Sequence, residues 1–300
     1  LDAKPNLKTD VIGLFRTEFL YIARNTLPDE EEQYRIYSKI VSAMAPKTVT
    51  IRTFDLGGDK LSHLIPATHE DNPYLGNRGI RFSLAHPNLL KTQLRAILRA
   101  SIHGKIKIMF PMVIDVEDFI EGRNIFNACI NELYNEGVEF DSSIPLGSMV
   151  EIPSAALTSD SLARECDFLS IGTNDLVQYT LAVDRNNDAV SRYYIQHHPS
   201  VLKLIRSTLR NAQKHKIPVS ICGEMASLKE YIPLLIGMGF TEFSIASSAY
   251  YEVKSTIQNC DAQLRMIVKN FDFSAPLPKV EELIYHTLKK YLQPTGASDD

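Results

Sequence analysis

The sequence predicts an α/β protein built as a single (β/α)8 barrel of the TIM type. Short apolar segments, rich in β-branched and aromatic residues, alternate with amphipathic helical segments along most of the 300 residues. Most of the apolar segments are continuous rather than alternating, which is typical of parallel strands buried on both faces. No Gly- or Pro-rich linker divides the chain, and its length suits one barrel, which typically needs about 250 residues.

Eight segments are the strand candidates, and the first of them also argues against a rival fold. An open doubly wound sheet would place a Gly-rich turn after its first strand. Here the first strand runs into Arg16, Thr17 and Glu18, which favours the barrel. The eight segments are residues 11–15, 48–53, 79–82, 105–110, 146–150, 168–172, 218–222 and 242–245.

Polar residues predict where several helices begin. Helices are expected to start at Asp29 and at Asp115, because an aspartate accepts hydrogen bonds from the first free backbone N–H groups. Ser227 and Glu230 have the spacing of a capping box ahead of another helix. The barrel is expected over residues 11–292, with a linker from a missing upstream region at 1–10 and a frayed tail at 293–300.

Composition and charge exclude several classes of protein. Lys and Arg number 32 and Asp and Glu 36, so the net charge of −4 gives no overall attraction to nucleic acid or anionic lipid. The apolar run at 106–114 is too short, and too interrupted by Lys107 and Pro111, to span a membrane. Four cysteines without a C-x-x-C pair indicate neither a zinc motif nor a disulfide scaffold, so the cytoplasm is the expected location.

Charged residues follow several of the predicted strands, where a TIM barrel has its active site. Arg16 and Arg52 end the first two strands, Arg78 flanks the third, Glu151 follows the fifth and Asp175 the sixth. A ring of internal salt bridges is one interpretation. The other is a site for a small ligand with phosphate and carboxylate groups, because guanidinium groups pair bidentately with both.

The residue types also indicate a metal. Glu151 and Asp175 supply hard oxygen ligands, and such a pair suits Mg²⁺, which completes its shell with water and substrate oxygens. Zinc is disfavoured because no His or Cys is near them in the predicted arrangement. Taken alone, Arg185 reads as a solvated loop charge and Cys222 as a small buried hydrophobe.

Longer stretches around these residues carry a resemblance to a known family. The chain resembles the C-terminal, phosphoenolpyruvate-binding domain of enzyme I (phosphoenolpyruvate-protein phosphotransferase) of the bacterial sugar phosphotransferase system, and the likeness runs from about residue 11 to 250. The resemblance implies a TIM barrel of the phosphoenolpyruvate/pyruvate-binding type. The matching stretches are GLFRTEF at 13–19, RTFDLGGDK at 52–60, NPYLGNRGIR at 72–81, IMFPM at 108–112, GSMVE at 147–151, FLSIGTNDLVQYT at 168–180 and CGE at 222–224.

The resemblance implies a role for each candidate site residue. The metal ligands would be Glu151 and Asp175, binding Mg²⁺, and Cys222 would be the acid that protonates the enolate carbon to give pyruvate. Substrate would be bound by Arg16, Arg52 and Arg185 at the phosphate, by Arg78 beside them, and by the amide of Asn174.

The resemblance also implies partners that this sequence lacks. The family's phosphoryl-accepting histidine lies in a separate N-terminal domain, and none of the eight histidines here has its Gly-rich setting. Phosphoenolpyruvate and pyruvate, a homodimer, that N-terminal domain and, through it, the phosphocarrier protein are the expected partners. The alternatives are a dikinase or phosphoenolpyruvate synthase domain, a Mg²⁺-dependent C–C lyase, and a dimerisation module that senses phosphoenolpyruvate without transferring its phosphoryl group.

Overall fold

The computed structural model describes residues 11–22, 26–57 and 70–292. Over these residues, seven short strands are separated by helices. The predicted linker at 1–10 and tail at 293–300 lie outside the described residues. The strands are β1 (Ile12–Phe15), β2 (Val49–Arg52), β3 (Ile106–Phe110), β4 (Leu146–Val150), β5 (Phe168–Gly172), β6 (Val219–Cys222) and β7 (Glu242–Phe243).

The strands form one parallel sheet in which each strand lies beside its successor, in the order β1 to β7. A doubly wound sheet reverses its strand order at a switch point, and no such reversal occurs in this sheet. The order is therefore that of a singly wound α/β barrel, and the predicted fold class is confirmed. Ile108 pairs with Leu146 and Gly172 with Cys222, whereas the register of β1 on β2 shifts between Ile12 and Phe15.

Helices connect the strands and complete the α/β pattern. Over the described residues, the α-helices are α1 (Glu30–Met44), α2 (Ile80–Ala85), α3 (Pro87–Ala100), α4 (Val116–Asn135), α5 (Pro153–Leu157), α6 (Ser159–Glu165), α7 (Thr173–Leu181), α8 (Pro199–His215), α9 (Glu224–Ser227), α10 (Ile232–Met238), α11 (Tyr250–Gln258), α12 (Ala262–Asn270) and α13 (Leu277–Glu282).

One predicted strand is wrong. Residues 79–82 belong to α2, although their apolar character suggested a buried strand. Gly79 has a φ of 61°, which turns the chain out of an extended conformation, and the N–H of Ser83 then donates to the Gly79 carbonyl at 3.0 Å. A buried helical turn and a buried strand have the same apolar composition, so periodicity does not separate them over four residues.

Two predicted helix starts are confirmed and one is wrong. Asp29 caps α1 by accepting from the N–H of Glu32, and Asp115 caps α4 by accepting from Glu117 and Asp118. Ser227 instead ends α9, and its hydroxyl accepts from the N–H of Ala246 at 3.0 Å. A capping-box spacing is local, whereas this serine is recruited by a segment 19 residues further along the chain.

The chain divides into two compact units. Of the described residues, unit 1 comprises 11–22, 26–57, 70–149 and 164–168, and unit 2 comprises 150–163 and 169–292. Unit 1 has a core of aromatic and aliphatic side chains that includes Tyr37, Phe54 and Phe110, and the core of unit 2 includes Leu176, Ile205 and Ile221. No described helix is both long enough and apolar enough to cross a membrane.

Candidate active site

Unit 1 places three arginines at or beyond the carboxyl ends of its strands. Arg16 follows β1 directly and is exposed, and its side chain makes no hydrogen bond or ion pair with any described residue. Arg52 is the last residue of β2 and Arg78 immediately precedes Gly79; both are buried. A buried guanidinium needs compensating partners, because removing a charge from water is costly.

Those partners are two carboxylates, Glu18 and Asp55. One Arg52 nitrogen, Nη2, lies 2.9 Å from Oε1 of Glu18, and Nη1 lies 3.4 Å from Oδ2 of Asp55. Arg78 pairs bidentately with the same aspartate, with Nε 3.1 Å from Oδ1 and Nη2 2.7 Å from Oδ2. The interpretation as internal salt bridges is thus realised for these two arginines. Among the described residues, Arg52 and Arg78 are paired with these two carboxylates, whereas Arg16 has no carboxylate partner.

The sequence interpretation gave Glu18 and Asp55 no role, although both lie within the stretches that carry the resemblance. Their signal was available: each is an acidic residue two or three positions from a strand-terminal arginine. Their effect is to hold the guanidinium groups in fixed positions. An arginine held by a carboxylate loses less conformational freedom when it then binds a ligand.

Backbone geometry fixes the position of Arg78. Gly57 and Arg78 form an isolated antiparallel bridge, and Gly79 follows in the left-handed region. A Cβ atom at Gly79 would lie 2.6 Å from Cβ of Met112 and 3.3 Å from Oδ1 of Asp55. A side chain at this position would therefore clash with the segment after β3 and crowd the carboxylate that binds Arg78.

A buried polar network supports the segment after β2. The Thr17 hydroxyl donates to the Arg52 carbonyl at 3.0 Å, and Nε2 of Gln93 donates to the same hydroxyl at 3.1 Å. The Gln93 side-chain oxygen accepts from the N–H of Phe54 at 3.0 Å, and its amide nitrogen also donates to the Tyr37 hydroxyl. Burial raises the pKa of Tyr37, so this hydroxyl remains a neutral donor and acceptor.

Unit 2 contributes two buried carboxylates. Glu151 follows β4 directly and is 1% exposed, and Asp175 lies in the first turn of α7, after β5, and is 7% exposed. Nη1 of Arg185 lies 3.4 Å from Oδ1 of Asp175, and the N–H of Arg185 donates to the Gln178 side chain at 3.2 Å. The structure thus brings Asp175 and Arg185 together. Arg185 is held by this ion pair and by the hydrogen bond of its backbone N–H, so it is not a solvated loop charge.

The carboxylates of Glu151 and Asp175 are of the type that binds Mg²⁺. Within the described ranges, no group of three or more His, Cys, Asp or Glu side chains forms a metal-binding cluster. Mg²⁺ does not need such a cluster, because it is commonly bound by one or two carboxylates plus waters and substrate oxygens. Glu151 and Asp175 follow strands that are neighbours in the sheet, β4 and β5, so the donor set suits this ion and not zinc.

Asn174 has a defined amide orientation. The backbone N–H of Glu224 donates to its Oδ1 at 2.9 Å, so the oxygen is engaged and the NH₂ group is the free end. Among the described residues, no acceptor is bound to that NH₂ group. The side chain therefore presents a hydrogen-bond donor, as required for contact with an anionic ligand.

Gly223 allows this arrangement. Its φ of 95° and ψ of −172° fall in a region that is almost confined to glycine. A Cβ atom there would lie 2.3 Å from Oγ1 of Thr173 and 2.8 Å from Oδ1 of Asn174. The hydroxyl of Thr173 in turn donates to the Cys222 carbonyl at 2.8 Å, which joins the ends of β5 and β6.

Cys222 is the last residue of β6 and is 3% exposed. Its Sγ lies 3.3 Å from the Ile171 carbonyl, to which the thiol donates, and it accepts from the Ser170 hydroxyl at 3.8 Å. The thiol is therefore placed at the end of a barrel strand, as predicted, in contact with polar groups and not only with the apolar core.

Tyr194 is a residue that the sequence interpretation missed. Its hydroxyl donates to the Asn174 carbonyl at 3.1 Å and also hydrogen-bonds to Arg185. Burial, with Glu224 and Asp175 nearby, raises its pKa to about 12. No sequence signal marks Tyr194, because it lies in a loop after α7 and reaches Asn174 across 20 residues.

A singly wound parallel α/β sheet that carries arginines and buried carboxylates at its strand ends defines a class: the barrel enzymes that bind small anionic substrates at the carboxyl ends of the strands. The chain belongs to the family of PEP-utilising enzymes, because residues 2–262 match the model of the PEP-binding domain of that family. PEP denotes phosphoenolpyruvate.

Individual relatives show which proteins of this family the chain is similar to. The chain is 45% identical over 252 residues to the phosphoenolpyruvate-protein phosphotransferase of Listeria monocytogenes, a match that covers 84% of this chain and 44% of the relative. It is 43% identical over 254 residues to the protein of the same name from Enterococcus faecalis, with the same coverage. The chain therefore matches less than half of the length of these relatives.

Proposed function

We propose that this chain binds phosphoenolpyruvate with Mg²⁺ and passes its phosphoryl group to a histidine outside the chain, giving pyruvate. The chain would thus be the C-terminal part of a phosphoenolpyruvate-protein phosphotransferase acting in the cytoplasm. The observation that carries the proposal is the pair of buried arginines of unit 1, Arg52 and Arg78, which Glu18 and Asp55 hold in place. Relatives of that name, 43–45% identical, support it.

The arginines are assigned to the substrate anion. Arg16, Arg52 and Arg185 bind the phosphate, and Arg78 binds beside them. Guanidinium groups suit this role because they pair bidentately with phosphate oxygens and remain charged at every relevant pH. The NH₂ group of Asn174, oriented by Glu224, donates a further hydrogen bond to the substrate.

Glu151 and Asp175 would hold the Mg²⁺ ion. When bound, the ion supplies positive charge that stabilises the enolate leaving group of the phosphoryl transfer. The two carboxylates are buried, so they bind a cation in a medium where charge interactions are strong. Arg185, 3.4 Å from Asp175, holds that carboxylate in place.

Cys222 is assigned as the proton donor to the enolate carbon. Its thiol carries a proton that it donates to the Ile171 carbonyl, so the side chain is an acid at rest. Transfer requires the S–H bond to turn from that carbonyl towards the substrate carbon. Rotation about the Cβ–Sγ bond reorients the S–H bond without moving the backbone.

Calorimetry tests the metal and the substrate together. Wild-type protein should bind phosphoenolpyruvate far more tightly with Mg²⁺ than in EDTA, and Asp175→Asn should bind equally weakly in both. Asp188→Asn, which changes an exposed aspartate, is the control and should behave as wild type. Equal wild-type affinity with and without Mg²⁺ would remove the metal assignment.

A second experiment separates transfer from proton donation. With the histidine-bearing domain supplied as a separate polypeptide, Cys222→Ser should still bind phosphoenolpyruvate and pass on its phosphoryl group. Pyruvate formation should fall, since proton transfer by a placed side chain contributes about 10²–10⁴-fold. A chain that binds phosphoenolpyruvate but never phosphorylates the histidine domain would be a sensing module instead.

A further inference from the structure

Two serines lie beside Cys222, one on its own strand and one on the neighbouring strand. Ser170 is in the middle of β5, and Ser220 is its register partner on β6. Side chains two residues apart on a strand point to the same face, so Ser220 and Cys222 share one face of β6. Ser170 therefore lies next to both of them.

Hydrogen bonds join the three side chains into one ordered chain. The Ser220 hydroxyl donates to the Ser170 hydroxyl at 3.0 Å, and Ser170 donates to Sγ of Cys222 at 3.8 Å. The thiol donates onward to the Ile171 carbonyl at 3.3 Å. Ser220 is partly exposed, whereas Ser170 and Cys222 are both buried.

We propose that Ser220 and Ser170 form a proton relay that returns the Cys222 side chain to its thiol form after each turnover. The proposal rests on the function proposed above, in which Cys222 protonates the enolate carbon. It adds two residues that do not touch the substrate and that act through the thiol.

The relay balances as a set of proton transfers. The S–H bond of Cys222 breaks as a C–H bond forms on the enolate, which leaves a thiolate and pyruvate. The thiolate takes the proton of the Ser170 hydroxyl, Ser170 takes that of Ser220, and Ser220 takes one from solvent water. Each turnover therefore consumes one proton from solvent, and each group regains its starting form.

Burial gives the relay its purpose. A thiolate at a side chain that is 3% exposed cannot be reached freely by water, and the Ile171 carbonyl, which accepts from the thiol, repels negative charge. The Ser170 hydroxyl already donates to the sulfur, so it stabilises the thiolate and holds the next proton in place. Ser220 connects that hydroxyl to the surface.

The experiment compares the first turnover with later ones, using the full chain and a separate histidine-bearing domain. The variants are Ser170→Ala and Ser220→Ala, with Ser220→Thr to restore a hydroxyl. Ser148→Ala is the matched control, since Ser148 is a buried strand serine whose hydroxyl donates to the Met149 carbonyl. Binding of phosphoenolpyruvate and thermal unfolding confirm that each variant is folded.

In Ser170→Ala and Ser220→Ala, pyruvate should form in the first turnover within about threefold of the wild-type rate, because the thiol already carries its proton. The steady-state rate should fall about tenfold, less than the ~10²–10⁴-fold expected for loss of the direct donor. A small protonated buffer such as imidazolium should restore the steady-state rate of the variants and leave wild type unchanged. Ser220→Thr should behave as wild type.

Unchanged steady-state rates in both alanine variants would overturn the relay. So would a parallel loss of both phases without rescue by buffer, which would mean that the serines only pack against Cys222. The Cys222→Ser experiment tests the donor assignment independently of the relay. If that variant forms pyruvate at the wild-type rate, the donor assignment is wrong, whatever the serine variants do.

Discussion

At the scale of single residues, the site depends on groups that fix the orientation of others. Glu18 and Asp55 hold Arg52 and Arg78, and the backbone N–H of Glu224 fixes the Asn174 amide. None of these contacts involves a ligand. They reduce the conformational freedom that binding would otherwise have to remove, which is how a preformed site gains affinity.

Gly223→Ala should damage stability and ligand binding together. A Cβ at this position meets Thr173 and Asn174, in a backbone region that costs about 1–3 kcal/mol for other residues. Gly137→Ala is the matched control, because Gly137 also has positive φ, at 69°, but a Cβ there meets nothing within 4 Å. The free energy of unfolding should fall more for Gly223→Ala than for Gly137→Ala, because only the alanine at 223 clashes with its neighbours. Only Gly223→Ala should lose affinity for phosphoenolpyruvate.

Tyr194→Phe should weaken phosphoenolpyruvate binding while leaving the fold intact. The change removes the hydroxyl that donates to the Asn174 carbonyl and contacts Arg185. Loss of one hydrogen bond is worth about 1 kcal/mol, or roughly fivefold in affinity. Calorimetry checks it, with Tyr193→Phe as the control at an exposed neighbour; a normal affinity for Tyr194→Phe would show that Tyr194 does not position the site.

At the scale of elements, charged side chains join three helices of unit 1. Arg95 of α3 lies 2.7 Å from Glu30 of α1 and pairs bidentately with Glu136 at the end of α4. Arg99 pairs with Glu30 and Glu31. Isolated surface ion pairs contribute little, but a network that shares arginines among helices restricts how those helices pack.

This network predicts a loss of stability at acid pH. A hydrogen bond from Arg95 lowers the pKa of Glu136, and one from Arg99 lowers that of Glu31. The unfolded chain therefore binds protons first as pH falls, so the stabilisation is present above about pH 5 and is lost as pH falls through the folded pKa values.

Chemical denaturation between pH 7 and pH 3 measures this effect. Glu136→Gln should flatten the decline, and Glu139→Gln, at a residue without an ion pair among the described side chains, should not. Added salt should also reduce the stability of the wild type, because screening weakens exposed ion pairs. An identical pH dependence in Glu136→Gln and wild type would contradict the role of this pair.

At the scale of the whole molecule, the two units hold different parts of the candidate chemistry. Unit 1 carries Arg16, Arg52 and Arg78. Unit 2 carries the carboxylates, Asn174, Arg185 and Cys222, together with the serines of the relay. The candidate residues belong to five strands or their following connections: Arg16 follows β1, Arg52 ends β2 with Arg78 in the connection after it, Glu151 follows β4, Asn174, Asp175 and Arg185 follow β5, and Cys222 ends β6.

We propose that the chain forms a homodimer. Large apolar side chains remain exposed in unit 2, including Tyr251 at 71%, Met266 at 67% and Leu157 at 70%. Burial of such groups is favourable at about 25 cal/mol per Å². Sedimentation at micromolar concentration should give twice the 33.8 kDa mass of the chain; a monomer at every accessible concentration would contradict the proposal.

The sequence by itself determined the fold class and the seven observed strands. Continuous apolar runs alternate with segments of helical periodicity many times along the chain. The fold class can therefore be predicted correctly even when one segment is assigned wrongly. The strand-end arginines and carboxylates were also readable, since a charge directly after a buried strand is costly unless it is paired or used. The short segment at 79–82 failed, because four residues are too few to show a period.

Only the tertiary structure decided which groups act on each other. That Asp55 binds Arg78, that Tyr194 reaches Asn174, and that Ser220, Ser170 and Cys222 form one hydrogen-bonded chain all depend on contacts between residues 20 to 52 positions apart. Side-chain pattern predicts which face a residue occupies, but the register of adjacent strands and the path of loops decide its partner. Those are set by the packing of the whole sheet, and no local run of residues contains them.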